Sequence, residues 1–434
     1  MFSRRHFLKT TVASSLSLCV PNLYAQQNQS FQYDGPYVVI FNANGGWDTT
    51  YLMDPKGTPE INRLYHSGQI NHAGNIYYAP TANHIAPGAM SNQEFFTRYA
   101  SELLVVNGID VSVNNHSPCS RYVATGELDS RLYPTFPALV AACKAPNVPL
   151  SFLTFGQYSA TANLVAQTRI PYLRSLESLA SGPYTDRARL RTYHHADTLD
   201  LIEDKLREVQ QEGHSLHKVE QARNFVHQAQ NTSKTLDRII PFITTEPPSD
   251  LFLQQSEIAL AAFASGLAVS ANLQLGNFDS HNTNDVDQMN LIPKLLAGVD
   301  YLLTRAESLN LRDRLIVIIQ SEMGRTPWYN ETGGKDHWSV TSMMALGAGI
   351  VGNRVVGGTQ VHAETGFDQA PRLIDPLTLQ EISTGQEGPT GIRIRPEHIQ
   401  QAQRQLLGIE SHPFAQKYPL KLRSDEQLQG LFAP

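Results

Sequence analysis

Four short segments of this chain bring acids or imidazoles to places where an apolar run gives way to glycine or a polar turn. In Tyr37-Val-Val-Ile-Phe-Asn-Ala-Asn-Gly-Gly-Trp-Asp48, a strand-like run meets Gly45 and Gly46, which let the backbone turn sharply and present a carboxylate. On its own Asp48 reads as a cap for the next segment. Asn114-Asn-His116-Ser117-Pro118-Cys-Ser-Arg121 precedes a short helical stretch ending at Gly126. Ser before Pro has the pattern of an N-cap with proline at the first helical position, and a hydroxyl there suits both capping and nucleophilic attack on an anionic centre. Leu275-Gly-Asn-Phe-Asp279-Ser-His281-Asn sets a carboxylate and an imidazole two residues apart on one turn, so both can reach a single cation. Ile316-Val-Ile-Ile-Gln-Ser-Glu322-Met323-Gly-Arg325-Thr-Pro delivers a glutamate into a Gly-Arg loop, and Gly333-Gly-Lys-Asp-His337-Trp follows with a second imidazole on a glycine-rich loop. An acid or an acid–His pair at the ends of three strands favours a metal cluster over isolated caps.

The elements that must position these groups are legible from periodicity. Apolar runs at Tyr37–Phe41, Leu103–Asn107, Leu150–Phe155, Leu273–Gly276, Leu315–Gln320 and Met343–Leu346 read as strands buried on both faces. Segments of helical period lie between them, at Pro134–Cys143, Leu251–Ser265, Val286–Ser308 and Pro396–Leu407. The alternation predicts an α/β fold, with a parallel sheet covered on both sides and ligands beyond the carboxyl ends of its strands. Residues from about 192 to 245 form an insertion whose first part is charged and continuously helix-compatible, either a helical pair on the rim or a lid over the site. Arg372–Pro396, with several Pro, Gly and Thr, reads as a surface excursion before the last helix.

Composition narrows the classes. The 434 residues carry 17% charged side chains and a net charge of −6, which with no long basic block excludes a general nucleic-acid binder. Three cysteines exclude a disulfide framework and a cysteine-rich zinc module. Ser3-Arg4-Arg5-His6-Phe7-Leu8-Lys9 matches the twin-arginine export pattern, followed by a mildly apolar stretch too short to span a bilayer and a small residue at Ala25. Residues 1–25 are therefore expected to be a removable signal, handled by the twin-arginine export machinery. The mature chain, 26–434, is read as one domain without a transmembrane segment, periplasmic or secreted. Removing Arg4, Arg5 and Lys9 and no acid takes the charge from −6 to −9. Cys119 and Cys143 remain, with pairing open.

The Gly-Gly-Trp-Asp turn, the Asn-His-Ser segment, Asp-Ser-His, Ser-Glu-Met-Gly-Arg-Thr-Pro and Lys-Asp-His-Trp occur in this order. So arranged, they resemble the bacterial family named domain of unknown function 1501, commonly twin-arginine exported, over nearly the whole mature chain. That resemblance implies membership of the alkaline phosphatase and sulfatase superfamily, and with it a three-layer αβα sandwich around a largely parallel sheet. Carried over residue by residue, Asp48 resembles the strand-one metal ligand, Asp279 and His281 the Asp/His pair, Glu322 the second acid and His337 the last histidine. Ser117 falls where the nucleophile belongs, and Arg121 echoes the arginine that follows it in sulfatases. The departures carry information too. Pro118 follows Ser117 directly, with Cys119 where sulfatases need proline, which argues against formylglycine. Glu322 is followed by Met323 where the superfamily has Asp-His, so one site lacks an imidazole unless His116 supplies it. An oxygen-rich or mononuclear site is then an alternative.

The resulting expectation is an exported, metal-dependent hydrolase of a small-molecule phosphate or related ester, with one or two divalent ions: zinc, manganese or calcium. Ser117 is the expected nucleophile, Arg121 and Arg325 the groups that grip substrate oxygens, and His337 either a ligand or a general acid. The competing expectation is a non-catalytic metal-binding envelope protein that keeps the fold for assembly or binding.

Overall fold

A computed structural model describes residues 33–434, except 82–85, 157, 181–184, 187–190, 193–195, 212–215, 217–218, 220–222, 224–234, 362–368, 383–387, 389–390 and 434. The expected signal segment, and parts of the expected insertion, lie outside the described residues. Tyr33–Pro434 forms one compact unit.

Its centre is a sheet of eight strands: β1 (Tyr37–Ala43), β2 (Leu104–Asp110), β3 (Phe152–Thr154), β4 (Gln167–Thr168), β5 (Ser270–Leu275), β6 (Leu315–Gln320), β7 (Val340–Gly347) and β8 (Arg354–Val356). They lie side by side in the order β8-β2-β7-β6-β1-β5-β3-β4. β1 sits in the middle and pairs in parallel with β6 and β5, so that Phe41 is level with Ile319 and Leu273. β7 runs antiparallel to both β6 and β2, while β8 returns parallel to β2. Every expected strand run lies on this sheet. The reversal at β7 did not show in the sequence, because a strand buried on both faces has the same apolar run in either direction.

Helices cover both faces, giving the expected three layers. Val38, Ile40, Leu104, Val106, Ile316 and Ile318 point to one face, where they meet Phe136, Leu139 and Val140 of α3 (Phe136–Lys144) and Ile399 and Ala402 of α6 (Pro396–Leu406). α2 (His116–Thr125) lies against α6 at the edge of that layer. The opposite face carries Tyr37, stacked on Phe263 with centroids 4.8 Å apart, and Phe41, edge-on to Phe252 at 5.8 Å. Both partners belong to α4 (Leu251–Ala264), which packs on α5 (Asn284–Ser308). α1 (Asn92–Tyr99) was not expected from the sequence; Ser91 and Glu94 close it with a capping box. Each fully buried aliphatic side chain contributes about 1.5–3 kcal/mol, so the apolar centre of the sheet is a stiff floor beneath the polar residues at its carboxyl edge.

Two expectations change. Arg372–Pro396 is not a surface excursion, because Ile374, Leu379, Ile392 and Ile394 are buried in the same core as β1 and β6. Its isolated isoleucines, set among prolines and glycines, lack the periodicity that would have marked them. Ser117 is not a helix cap: α2 begins at His116 with Asn115 as N-cap, and Cys119 N–H donates to Asn115 O at 3.1 Å. Pro118 then falls among the first residues of the helix, whose amides need no intrahelical acceptor, so the proline costs no hydrogen bond. In the expected insertion, the described elements include a helix at Ala196–Gln211 and a 3-10 turn at Leu236–Phe242. No helix among the described residues is long and apolar enough to cross a membrane.

Candidate metal centre at the strand ends

The turn after β1 requires its two glycines. Gly45 and Gly46 have φ of +119° and +90°, and a Cβ at Gly45 would lie 2.5 Å from the Asp279 backbone nitrogen. The β1 turn can therefore press against the loop that carries Asp279 and His281. Gly334 makes the matching approach from the other side, since a Cβ there would overlap His281 O at 1.9 Å. A two-residue ribbon then pairs Gly324-Arg325 with His337-Trp338, setting Arg325 opposite His337. Three loops thus converge on one point, and His116 enters it from the first turn of α2.

At that point stands the Asp279 carboxylate. His281 Nε2 is 3.0 Å from its Oδ1, His337 Nε2 is 3.2 Å from the same oxygen, and His116 Nε2 is 3.4 Å from Oδ2. The His281 and His337 Nε2 atoms are 3.1 Å apart. These separations match the roughly 3.3 Å edge expected between ligand atoms around a tetrahedral ion with bonds of about 2.0 Å. His116, Asp279 and His337 each present one ligand atom within 4.8 Å of the others.

The far side of each ring is also engaged. His116 Nδ1 lies 2.9 Å from Glu322 Oε1, His281 Nδ1 is 2.8 Å from Asp336 Oδ1, and His337 Nδ1 is 2.8 Å from Asn114 O. All three partners accept, so each neutral ring carries its proton on Nδ1 and turns the Nε2 lone pair toward Asp279. An anchored Nδ1 behind a converging Nε2 is the outer-shell arrangement of metal-binding histidines.

Electrostatics follow from these contacts. The Glu322 hydrogen bond raises the His116 pKa above the ordinary imidazole value, outweighing the burial that pulls it down. Burial alone would raise the Asp279 carboxyl, yet the Arg325 guanidinium, helped by His116 and His281, holds it down to about 2. His281 is the main reason that Asp336 also falls below its ordinary value.

Several expected roles move. Asp48 does not join the cluster: its Oδ2 accepts from Lys335 Nζ at 2.6 Å and Asn284 Nδ2 at 3.0 Å, and its Oδ1 from the Thr50 hydroxyl at 2.6 Å and the Thr50 N–H at 3.1 Å. Those four donors occupy the usual acceptor positions of a carboxylate, and the side chain is sealed from solvent. It caps the turn Thr49–Tyr51, the role its position alone suggested. Glu322 is buried and stands behind His116 rather than among the converging atoms, with Oε1 also accepting from Gly45 N–H at 2.8 Å. Arg325 is fully buried and donates to Gly46 O, Gly45 O, Lys335 O and Asp279 Oδ1, the last at 2.6 Å. It pins three loops and has no free fork for a substrate. Arg121 donates from Nε and Nη2 to Leu128 O, bracing the loop after α2. Ser117 is exposed next to His116, and its hydroxyl has no hydrogen-bond partner among the described residues. Cys119 is buried, its thiol pushed up to about 12 by burial, and both cysteines are free.

Sequence reasoning passed over Asn114, Lys335 and Asp336. Asp336 lies within the Lys-Asp-His-Trp segment, but it serves His281 from another loop, a pairing no local spacing reveals. Lys335 carried no expected role and is wholly buried.

The family described as "Protein of unknown function (DUF1501)" matches residues 156–379, just over half the chain. The chain belongs to that family. The match takes in Asp279, His281, Glu322, Arg325 and His337 and leaves Asp48, His116 and Ser117 outside it. The chain matches no curated protein sequence. Among solved structures it is similar to PsFucS1 sulfatase from Pseudoalteromonas sp., at 9% identity and a TM-score of 0.38, over 88% of this chain and 69% of that one. It is similar also to the lipoteichoic acid synthase LtaP from Listeria monocytogenes, at 9% identity and a TM-score of 0.34, over 74% and 68% of the two chains. A third likeness, at 10% identity and a TM-score of 0.37, is to a structure described under the metabolism of glycosaminoglycans by Bacteroides thetaiotaomicron, over 92% and 77%.

Proposed function

We propose that this DUF1501 protein is an exported, metal-dependent hydrolase of a phosphate or related ester. One observation carries the reading: three imidazoles have their Nδ1 atoms anchored on acceptors while their Nε2 atoms converge on one carboxylate. His116, Asp279 and His337 would hold a divalent ion with His281 beside them. Three nitrogens to one carboxylate suit zinc or manganese, whereas calcium prefers a shell of oxygens. With Asp48 occupied by Lys335, the donors present fit a single ion rather than two. Such an ion supplies Lewis acidity toward an ester oxygen.

The chain's own residues do the rest. Glu322, Asp336 and the Asn114 carbonyl fix the ring orientations, and Arg325 keeps Asp279 ionised and in place. Ser117, exposed beside His116, is the hydroxyl positioned to attack. Its oxygen would form a bond to the phosphoryl centre as the bond to the leaving alkoxide breaks, the serine proton passing to solvent. Water would then release the phosphoryl group and restore the hydroxyl. Arg4-Arg5 and the following segment support export by the twin-arginine route.

Metal analysis of the purified protein, followed by turnover of aryl phosphates and phosphodiesters, tests the reading. We expect about one divalent ion per chain, lost in His116→Ala and in Asp279→Ala. Ser117→Ala should retain metal and lose turnover by roughly a thousandfold or more. A non-catalytic metal-binding role is favoured by a separate observation: Arg121 and Arg325 both bind backbone oxygens, and among the described residues no base is hydrogen-bonded to Ser117. That role predicts metal binding without turnover of any ester.

A further inference from the structure

The three ring anchors are not equally secure. Glu322 is buried and also accepts from Gly45 N–H, and Asn114 O belongs to the main chain. Asp336, which faces His281 Nδ1, is instead a side chain 53% exposed to solvent. A carboxylate so placed turns freely into water unless something holds it. Asn330, half-buried in the loop between Arg325 and His337, does so. Its Nδ2 donates to His281 O at 2.8 Å and to Asp336 Oδ1 at 3.3 Å, the same oxygen that faces the His281 ring. Its Oδ1 accepts from the Thr332 N–H at 3.1 Å and the Gly334 N–H at 2.9 Å, and its own N–H donates to Gly334 O at 2.8 Å. The two ends of the carboxamide are not interchangeable, since a flipped amide would set oxygen against two acceptors and nitrogen against two donors. The oxygen closes the turn 330–334. The nitrogen reaches across to both sides of His281, its carbonyl and the acceptor behind its ring.

We infer that Asn330 is a positioning residue of the ion site: it holds Asp336 and the His281 main chain so that the ring keeps its proton on Nδ1 and aims Nε2 at the ion. Asn330 itself touches neither ion nor substrate. The inference rests on the metal reading of the cluster. Among the described residues, the Asp336 side chain has hydrogen bonds only to His281 and Asn330. Releasing it from Asn330 therefore leaves the His281 ring steered by an unrestrained carboxylate. Outer-shell partners of metal-binding histidines typically change affinity by about 10–100-fold when removed.

Asn330→Ser tests the inference, because its short hydroxyl can still accept from the Thr332 N–H but cannot reach His281 O or Asp336. Zinc affinity, read by competition with a chromophoric chelator, should fall at least about tenfold. The melting temperature of the metal-free protein should stay within about 3 °C of wild type; a much larger drop would make Asn330 a residue of the fold and overturn the assignment. Asp336→Ala should weaken zinc binding similarly, and the double variant should fall well short of the product of the two losses. Affinity within about twofold of wild type in Asn330→Ser, or losses that multiply in the double variant, overturns the inference. Imidazole 15N shifts of the metal-free protein in mildly alkaline buffer supply the independent arm. His281 should carry its proton on Nδ1 in the wild type and become a mixture of tautomers in Asn330→Ser; an unchanged tautomer overturns the assignment. If the wild type binds no zinc but the tautomer still depends on Asn330, the positioning of the ring stands and the metal reading falls.

Discussion

Lys335→Met removes the ammonium that faces Asp48 in the interior. Both residues are essentially inaccessible, at 0% and 1% exposure for the two side chains, and the bond between them is 2.6 Å. Methionine keeps most of the lysine's volume, so little of the effect comes from a new cavity. Breaking a buried ion pair by deleting one partner costs about 3–5 kcal/mol, because the remaining charge is stranded. Asp48 retains three donors, the Thr50 N–H, the Thr50 hydroxyl and the Asn284 amide, which places the expected loss near about 3 kcal/mol. That is about a fifth to three fifths of a typical domain's stability and roughly 4 °C in melting temperature for a chain of this size. Urea unfolding followed by circular dichroism measures it. Asp48→Asn combined with Lys335→Met should recover to within about 1 kcal/mol of wild type, since a neutral amide no longer needs the ammonium. A loss under about 1 kcal/mol in the single variant, or no recovery in the double, would refute the stranded-charge argument. Metal affinity read on the same samples adds a second number. The loop carrying Asp336 and His337 is anchored through Lys335, so the single variant should bind the ion roughly tenfold or more weakly.

The remaining expectations separate ligands from supports. Asp48→Asn should keep its metal, whereas Asp279→Asn should lose it; metal loss from Asp48→Asn would return that residue to the ligand set. Arg121→Met should leave turnover within about twofold and cost no more than about 1–2 kcal/mol in unfolding experiments, because among the described residues its guanidinium bonds reach only Leu128 O; a collapse of turnover would restore its expected substrate role. Gly334→Ala should destabilise by about 1–3 kcal/mol or more, since its Cβ would overlap His281 O, and a neutral melting curve would mean that the loop yields freely. Glu322 raises the His116 pKa, so in metal-free protein that pair stabilises fully below about pH 6.5 and fades as pH rises through the raised value. Glu322→Gln should therefore lower the melting temperature of chelator-treated protein more at about pH 5.5 than at about pH 8.5, and an equal loss at both would contradict the pairing.

How far the sequence reached depends on what each signal measures. Apolar runs report burial on both faces, so Tyr37–Phe41 and Leu315–Gln320 were placed well, while the direction of β7 left no mark. The glycine turn before Asp48 was recognised, yet its purpose was misjudged. Gly45 serves the close approach of the Asp279 loop, and Asp48 itself turns inward to a lysine from 287 residues away. Arg325 shows the same limit. An arginine beside glycine at a strand end resembles an anion clamp, but its partners are carbonyls from the β1 turn and the Lys335 loop, and only tertiary contact supplies them. His116 was assigned by default, as a spare imidazole for a missing ligand, and its ring is one of three held at Nδ1 with Nε2 facing Asp279.

The cluster can satisfy its charges in two ways. With Nδ1 protonated on all three rings, three nitrogen lone pairs and an anionic carboxylate face one another, an arrangement that needs positive charge between them. Arg325 supplies part of it from one side of Asp279, and protons on Nε2 could supply more at low pH. Protons alone would make each ring a cation hydrogen-bonded at both ends, and His281 and His337 would then oppose like charges across 3.1 Å. Like charges that close destabilise one another strongly in a partly buried site. A single divalent ion removes the conflict: it takes the Nε2 lone pairs, leaves every Nδ1 proton on its acceptor, and keeps Asp279 ionised as Arg325 already does. The anchoring of the three rings is therefore better matched to a metal than to protons, and acidification should release the ion as Nε2 protonation competes with it.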